Sequence, residues 1–122
     1  MSVISKSGCN AGGCHGNQNG KGGFKLSLWG GDPDHDYKEL LSSGSRVNLQ
    51  DPKSSKILLK PTLQNKHEGG KHFDVGSDEY RILLEWISAG ASTDLDTSPA
   101  LDSIEVSPPV SILSTPERSI DV

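Results

Sequence analysis

The chain has 122 residues, of which 32% are hydrophobic, and a formal net charge of −4. This length suits one small domain. The scattered Lys and Arg residues exclude the basic stripe of a nucleic-acid-binding protein, and no run is long and apolar enough to cross a bilayer. Because the apolar fraction is low for a globular domain, we expect the core to need a disulfide, a metal or a cofactor. Met1 stands close to the first Cys, which leaves no room for a secretory signal and predicts a trimmed domain boundary.

The first half of the chain carries weak signals for regular structure. Residues 3–14 predict a short, Gly-weakened helix that ends in a loop with both cysteines, and the Gly- and Asn-rich residues 16–23 predict none. Residues 24–29 alternate apolar and polar side chains and predict a short extended segment. Residues 34–43 predict a helix with Gly44 as its stop.

Two helices are predicted in the second half of the chain. Asp51, followed by a Pro that suits the first helical position, caps a short helix that runs to Leu59. Ser77 caps the strongest helix, whose first turn holds two acids and whose stop is Gly90. The predicted apolar face of this helix consists of Tyr80, Leu83, Leu84 and Ile87, widened by Ile82 and Trp86.

The composition changes near Thr93, after which Pro, Ser and Thr dominate. Residues 103–107 alternate like an edge strand. We therefore expect one domain over residues 1–92. The segment 93–122 is either a linker with the first strand or two of a β domain, or a disordered tail. The expected fold is small and mostly α-helical, with an extended or β tail.

The strongest chemical signal is the string that contains Cys9, Cys14 and His15. The usual attachment signature of heme c is C-x-x-C-H, whereas four residues separate the cysteines here. Two thiols must reach the two vinyl groups of one porphyrin, and the adjacent His must point its ring at the iron. The small residues 11–13 include two Gly, which accept backbone angles that other residues cannot. The string therefore predicts heme c bound through a lengthened C-x4-C-H motif.

Three other uses of these cysteines remain open at this point. A Cys9–Cys14 disulfide is possible but leaves His15 without a role. A structural zinc site needs four ligands, and His67 and His72 could complete it. A redox dithiol normally uses C-x-x-C beside a strand–helix unit, which this sequence lacks. No order of residues typical of a catalytic triad or a carboxylate pair stands out, so we expect an electron-transfer protein rather than an enzyme.

The second iron ligand is expected to be a histidine, unless the sixth site is open. The only Met is Met1, which precedes the attachment site, so His/Met ligation is not expected. We favour His67, because residues 68–70 include two Gly that let its backbone approach the ring, and His72 is the runner-up. His35 stands among acids at a helix start and is expected to be solvated. Trp29, Arg46 and Lys60 are candidate partners of the heme propionates.

The residues from Cys9 to Gly16, together with those from Gly20 to Leu28, resemble the cytochrome c-like domain of large secreted proteins typical of planctomycete bacteria. The resemblance covers residues 5–92. Further matches are Asp51-Pro52-x-x-Ser55, Leu58-Leu59, Lys60-Pro61-Thr62, His67-x-Gly69-Gly70 and the stretch Tyr80 through Trp86-Ile87-x-x-Gly90.

This resemblance implies a cytochrome c-like helical domain around one heme c, an extracytoplasmic location (periplasmic or secreted) and one-electron transfer to a redox partner that it does not name. It also implies His67 as the distal ligand. In the family, an immunoglobulin-like β domain and larger domains follow, so residues 101–122 are expected to begin such a β sandwich within a larger multidomain protein. The alternatives are a heme-based gas or redox sensor with an open or displaceable sixth site, and a non-heme interaction module stapled by zinc or a disulfide.

Overall fold

The computed structural model of the protein describes residues 2–43, 45–94, 103–105 and 107. The α-helices in this part are α1 (Ser2–Lys6), α2 (Pro33–Leu41), α3 (Lys56–Leu59) and α4 (Asp78–Ser88), with short 3-10 helices at Leu28–Gly30 and Pro52–Ser54. The described segments contain no strand, and their one β-type pairing is an isolated antiparallel bridge between Lys21 and Phe24. The prediction of a mostly helical fold is thus confirmed at the level of helix and coil.

Helix α4 forms as its sequence predicts. The Ser77 hydroxyl accepts a hydrogen bond from the backbone N–H of Tyr80 (3.3 Å), which satisfies one of the unpaired donors of the first turn. Gly90 has a φ of +97°, and the bonds from Gly90 N to Ile87 O and from Ala91 N to Trp86 O close the helix end. These two bonds are the Schellman arrangement, which needs a left-handed residue and therefore favours Gly.

The core is organised around α4, which packs against α1, α3 and the Pro52–Ser54 turn. Leu83 and Ile87 are buried on one side of the helix, whereas Ile82 is 46% exposed. The prediction that Ile82 widens the apolar face is therefore wrong, because the neighbouring elements cover a narrow stripe of α4. The buried hydrophobic residues of the described part are Ile4, Leu26, Leu40, Val47, Leu58, Phe73, Leu83, Ile87 and Ala91.

Helix α2 begins one residue before its predicted start. Asp32 caps it by accepting a hydrogen bond from His35 N (3.1 Å), and a Pro occupies the first position. Tyr37 donates its hydroxyl to the carbonyl of Ala91 (3.0 Å), which joins α2 to the end of α4. The predicted stop at Gly44 lies outside the described residues.

The predicted helix from Asp51 to Leu59 is broken into two pieces. Ser55 separates the Pro52–Ser54 turn from α3, because its backbone is extended, with a ψ of 129°. Its side chain is fully buried and its hydroxyl accepts a hydrogen bond from Asn48 N (2.9 Å). Asp51 makes no side-chain capping bond. The hydrogen bond between Asn48 and the buried Ser55 side chain therefore forms in place of a continuous helix.

The first third of the chain is less regular than predicted. α1 ends at Lys6, so the helix expected over 3–14 is only its first turn. Residues 24–29 do not form an extended segment throughout, because Leu28–Gly30 is a 3-10 turn in which Trp29 has a φ of 54°. The backbone of this segment forms hydrogen bonds with the loop that carries both cysteines, residues 8–16, rather than with a neighbouring strand.

The predictions for residues 93–122 fall almost entirely outside the described residues. Residues 103–105 and 107, which the structure does describe, are exposed. No helix in the described ranges has the length and apolar character needed to span a membrane.

Candidate functional site

The loop that carries both cysteines starts at a helix stop. Gly8 has a φ of +72°, and Cys9 N donates to Ile4 O (3.0 Å), which closes the end of α1. His15 N then donates to Cys9 O (3.0 Å), so the backbones of the first thiol residue and the histidine are joined directly. Gly12 and Gly13 are exposed. The two additional residues of the C-x4-C-H spacing are thus accommodated in an exposed turn without separating Cys9 from His15.

Gly16 is required for this loop to close. A Cβ at this position would lie 2.0 Å from the carbonyl oxygen of Asn10 and 2.7 Å from its carbon. Backbone atoms cannot move aside as a flexible side chain can, so only Gly fits. Sequence reasoning placed Gly16 in the string but did not identify this role, because the contact depends on how the loop folds back.

The cysteine loop, residues 8–16, rests on the segment that precedes α2. Leu26 N donates to His15 O (2.8 Å) and Trp29 N donates to Asn10 O (3.2 Å). Between these two contacts, the backbone N–H and the hydroxyl of Ser27 both donate to the Asp36 carboxylate, each at 2.6 Å. Asp36 is fully buried. Helix α2 therefore fixes the backbone that supports His15, a role that the sequence analysis missed.

A cavity of about 660 Å³ opens beside this loop and is lined by Cys9, Cys14, His15, His67 and His72. Its volume lies within the range of about 300 to 1,000 Å³ typical of small-molecule and cofactor sites. All predicted attachment and ligand residues, including the runner-up, therefore line one space, although residues 67 and 72 are far from the cysteines in sequence.

The rest of the cavity lining combines apolar and basic groups. Its apolar members are Ile4, Phe24, Leu26, Ile57 and Pro61, and its basic members are Lys21, Arg46, Lys56, Lys60 and Lys66. Glu68 is the acid of the lining. In a chain of net charge −4, this concentration of cations suits a ligand with an apolar body and negative groups.

The three cavity histidines share one hydrogen-bond pattern. The Nδ1 atom of His15 lies 3.0 Å from Phe24 O, that of His67 lies 2.7 Å from Gly70 O, and that of His72 lies 2.7 Å from Ser7 O. A carbonyl only accepts, so each Nδ1 is the nitrogen that donates its proton, and the neutral form of each ring has its lone pair on Nε2. Within the described residues no hydrogen bond reaches these Nε2 atoms. Metal-binding histidines are oriented by the same kind of bond.

The rings of His15 and His67 are nearly parallel. Their centres are 6.3 Å apart and their planes differ by 13°. A metal–imidazole bond is about 2 Å long. Two imidazoles that bind one ion from opposite sides through their ring nitrogens therefore have ring centres about 6 Å apart. The ring of His72 lies 5.6 Å from that of His67 and is tilted by 54°. The spacing of His15 and His67 is therefore compatible with one ion between them.

The remaining sequence candidates have different positions. His35 is half-buried, lies outside the cavity lining and has its Nε2 atom 3.2 Å from Lys25 O. Its predicted place in solvent is thus only partly correct. Trp29 is 61% exposed and does not line the cavity, whereas Arg46 and Lys60 do. The Arg46 guanidinium already donates to Glu39 O (2.8 Å) and lies over the Phe24 ring.

The structure bears on two of the alternatives for the cysteines. Both thiols are free, so the structure contains no Cys9–Cys14 disulfide. No group of three or more His, Cys, Asp or Glu side chains in the described ranges is arranged to hold a metal ion, so the Cys2His2 zinc site is not formed. A porphyrin supplies four ligands of its own and needs only axial ones from the protein.

Burial sets the protonation of the groups beside His15. It lowers the pKa of His15, opposed by the hydrogen bond to Phe24 O, and thus favours the neutral ring that binds metals. Burial, and to a lesser extent the neighbouring Cys14, raises the pKa of the Cys9 thiol to about 11. Cys9 also packs against the hydrophobic core. A neutral Cys9 thiol and a neutral His15 ring suit a partly apolar cavity.

Comparison of the chain with protein-family models, with curated proteins and with solved structures finds no match. The resemblance to the cytochrome c-like domain remains a prediction that depends on the residues quoted for it.

Proposed function

We propose that this chain is a monoheme c-type cytochrome domain that transfers single electrons. The observation that carries the proposal is the near-parallel pair His15 and His67, 6.3 Å apart, in a cavity that both cysteines also line. Cys9 and Cys14 would hold the heme through thioethers, with His15 as the proximal and His67 as the distal ligand. Heme iron, when bound, supplies reversible one-electron chemistry.

The protein's part is to orient two imidazoles and exclude other ligands. The carbonyls of Phe24 and Gly70 accept from the Nδ1–H groups of His15 and His67, so both Nε2 atoms are free for the iron. Such bonds raise ligand basicity as well as fixing ring orientation. Two histidines give a lower potential than a His/Met pair, since Met raises it.

The basic lining supports a dicarboxylate cofactor. Lys60 donates to the carbonyl of Lys66 (3.3 Å) and has further N–H donors to offer. Arg46 is engaged with backbone carbonyls and forms an ion pair with the Glu39 carboxylate (3.6 Å), which offsets part of its positive charge. Apolar lining residues such as Ile57 and Leu26 would contact the porphyrin body. A heme with two propionates matches this combination of apolar and cationic surface.

The proposal includes the expectations that the structure leaves untested. The proposed fold over residues 1–92 is that of a cytochrome c-like domain in a larger secreted or periplasmic protein. Residues 93–122 are either a linker with the start of an immunoglobulin-like β domain or a disordered tail. The partner is another redox protein. The main competing function is a gas sensor, which a second histidine ligand would disfavour because it fills the sixth position of the iron.

The test is the mass and spectrum of the chain after secretion. The chain is expressed with a secretion signal in cells that attach heme c, and the same chain without a signal is the control. We expect a heme-sized mass increment that survives denaturation only in the secreted form, and a low-spin spectrum that carbon monoxide does not shift readily. The double variant C9A/C14A should lose the increment.

Two results would contradict this function. Absence of any denaturation-resistant heme in the secreted chain removes covalent attachment. A high-spin spectrum with a rapid shift on carbon monoxide favours the sensor instead.

A further inference from the structure

The distal side of the cavity holds one imidazole more than an electron-transfer heme requires. His67 and His72 have ring centres 5.6 Å apart, and both line the cavity. Both have Nδ1 bound to a backbone carbonyl, so both present a lone pair on Nε2. His72 is therefore equipped as a ligand in the same way as His67, not as a group whose nitrogens are consumed by the fold.

Gly69 brings the two Nε2 atoms near one point. A Cβ at Gly69 would lie 3.4 Å from Nε2 of His67 and 3.5 Å from Nε2 of His72. Two ring nitrogens thus approach the same small volume, which a side chain at residue 69 would occupy. The two imidazoles are therefore neighbours in the cavity lining.

The two histidines differ in how they are held. His67 is tied within its own turn, through Gly70 N to His67 O (3.0 Å) and through its Nδ1 to Gly70 O. The residues on either side of it, Lys66 and Glu68, are exposed. His72 is tied to other parts of the fold, because its N–H donates to Pro61 O (2.8 Å) and its Nδ1–H to Ser7 O.

We propose that His72 is a second, exchangeable distal ligand, which takes the iron when His67 leaves. His67 is the ligand whose turn can open at low cost, because few contacts outside the turn hold it. His72 stays in place through its bonds to Pro61 and Ser7 while that turn moves. This inference rests on the proposed heme function. His72 would then act as a reserve ligand, which keeps the iron six-coordinate when His67 is not bound.

The reserve ligand has a measurable consequence for external ligands. An added molecule such as carbon monoxide binds only the fraction of protein whose sixth position is open. If His72 occupies that position in about nine-tenths of the molecules that lack His67, the apparent affinity for carbon monoxide falls about tenfold.

The experiment compares H67A, H72A and the double variant H67A/H72A, each as the secreted heme-loaded chain, with H35A as control because His35 lies outside the cavity lining. We expect H67A to remain low-spin and to bind carbon monoxide about tenfold more weakly than the double variant. H72A and H35A should remain low-spin. Added imidazole should return the double variant to low spin, which shows that its cavity is intact.

Each other outcome overturns the inference in a recognisable way. If H67A is high-spin and binds carbon monoxide as tightly as the double variant, His72 is not a reserve, yet covalent heme and the low-spin wild type leave the proposed function standing. If H72A alone becomes high-spin, His72 is the first ligand and the order is reversed. If the wild type carries no covalent heme, the proposed function fails. Should the double variant not accumulate, H67Q/H72Q keeps a polar side chain at both positions for the same comparison.

Discussion

The two sides of the cavity are built in different ways. On the proximal side, residues 8–16 bond to α1 through Cys9 and to the segment before α2 through Asn10 and His15. On the distal side, residues 66–70 bond mainly to themselves, and Lys66, Glu68 and Gly69 are exposed. Segments with few outside contacts open at lower free energy than segments held by several. The site therefore pairs a fixed half with an adaptable one.

The fixed half would suit the proposed attachment of heme. Covalent attachment and proximal ligation would need positions that do not change, and the bonds of Leu26 and Trp29 hold the cysteine loop in place. The proposed exchange of the sixth ligand would need a position that can change. His72 belongs to the fixed part by its bonds to Pro61 and Ser7, although it lies on the distal side.

The largest effect is expected from Gly16→Ala. The new methyl group would lie 2.0 Å from Asn10 O, so the proximal loop must open. Overpacking typically costs about 1 to 3 kcal/mol and occasionally more, and a clash with backbone belongs at the upper end. The measurement is the free energy of unfolding of the secreted, heme-loaded chain by urea.

Gly13→Ala is the matched control for this variant. It lies in the same loop, but nothing stands within 4 Å of its Cβ position, so its effect should stay within about 0.5 kcal/mol. If both variants lose the same free energy of unfolding, the contact of Gly16 with Asn10 does not close the loop tightly.

A smaller effect is expected from Asp36→Ala. The change leaves the buried donors of Ser27 without an acceptor, at a cost of about 1 to 3 kcal/mol. The support of the His15 loop should loosen with it, so the heme-loaded variant should also show an altered low-spin spectrum. Asp34→Ala is the control, since Asp34 is exposed on the same helix. If the spectrum of the Asp36 variant is unchanged, the hydrogen bonds from Ser27 to Asp36 do not determine the position of His15.

The smallest effect on stability is expected from Gly69→Ala on the distal side. The methyl group would lie 3.1 Å from Cε1 of His67, but the exposed turn can shift, so the free energy of unfolding should change by no more than about 0.5 kcal/mol. The distal ligand should nevertheless change position, seen as a shift in the low-spin spectrum. If Gly69→Ala lowers the free energy of unfolding as much as Gly16→Ala does, the distal turn is not more adaptable than the cysteine loop.

The elements that sequence reasoning predicted well are those with complete local signals. α4 has a capping Ser77, acids in the first turn and Gly90 at its end, and each acts within a few residues. The break at Ser55 and the irregular course of residues 24–29 depend on bonds to Asn48, Asp36 and His15. Such long-range partners leave no periodic pattern in the sequence.

The same distinction applies to the site. Cys9, Cys14 and His15 lie close together in the sequence, so their spacing alone singles them out as candidates. The roles of Gly16 and Asp36 depend on what lies beside them after folding, so no spacing reveals them. The assignment of His67 as iron ligand stays a prediction, as does heme itself.

The closure of α4 also determines how the domain carries a mechanical load. The carbonyl of Ala91 accepts from Tyr37, and that of Ser92 accepts from the Trp86 indole (2.9 Å). Tension applied to the chain beyond Ser92 would therefore reach α2 through Tyr37 and α4 through Trp86. Tyr37 is the neighbour of Asp36, which holds Ser27 beneath the cysteine loop. A pull on the C-terminal segment would thus be transmitted to the support of His15.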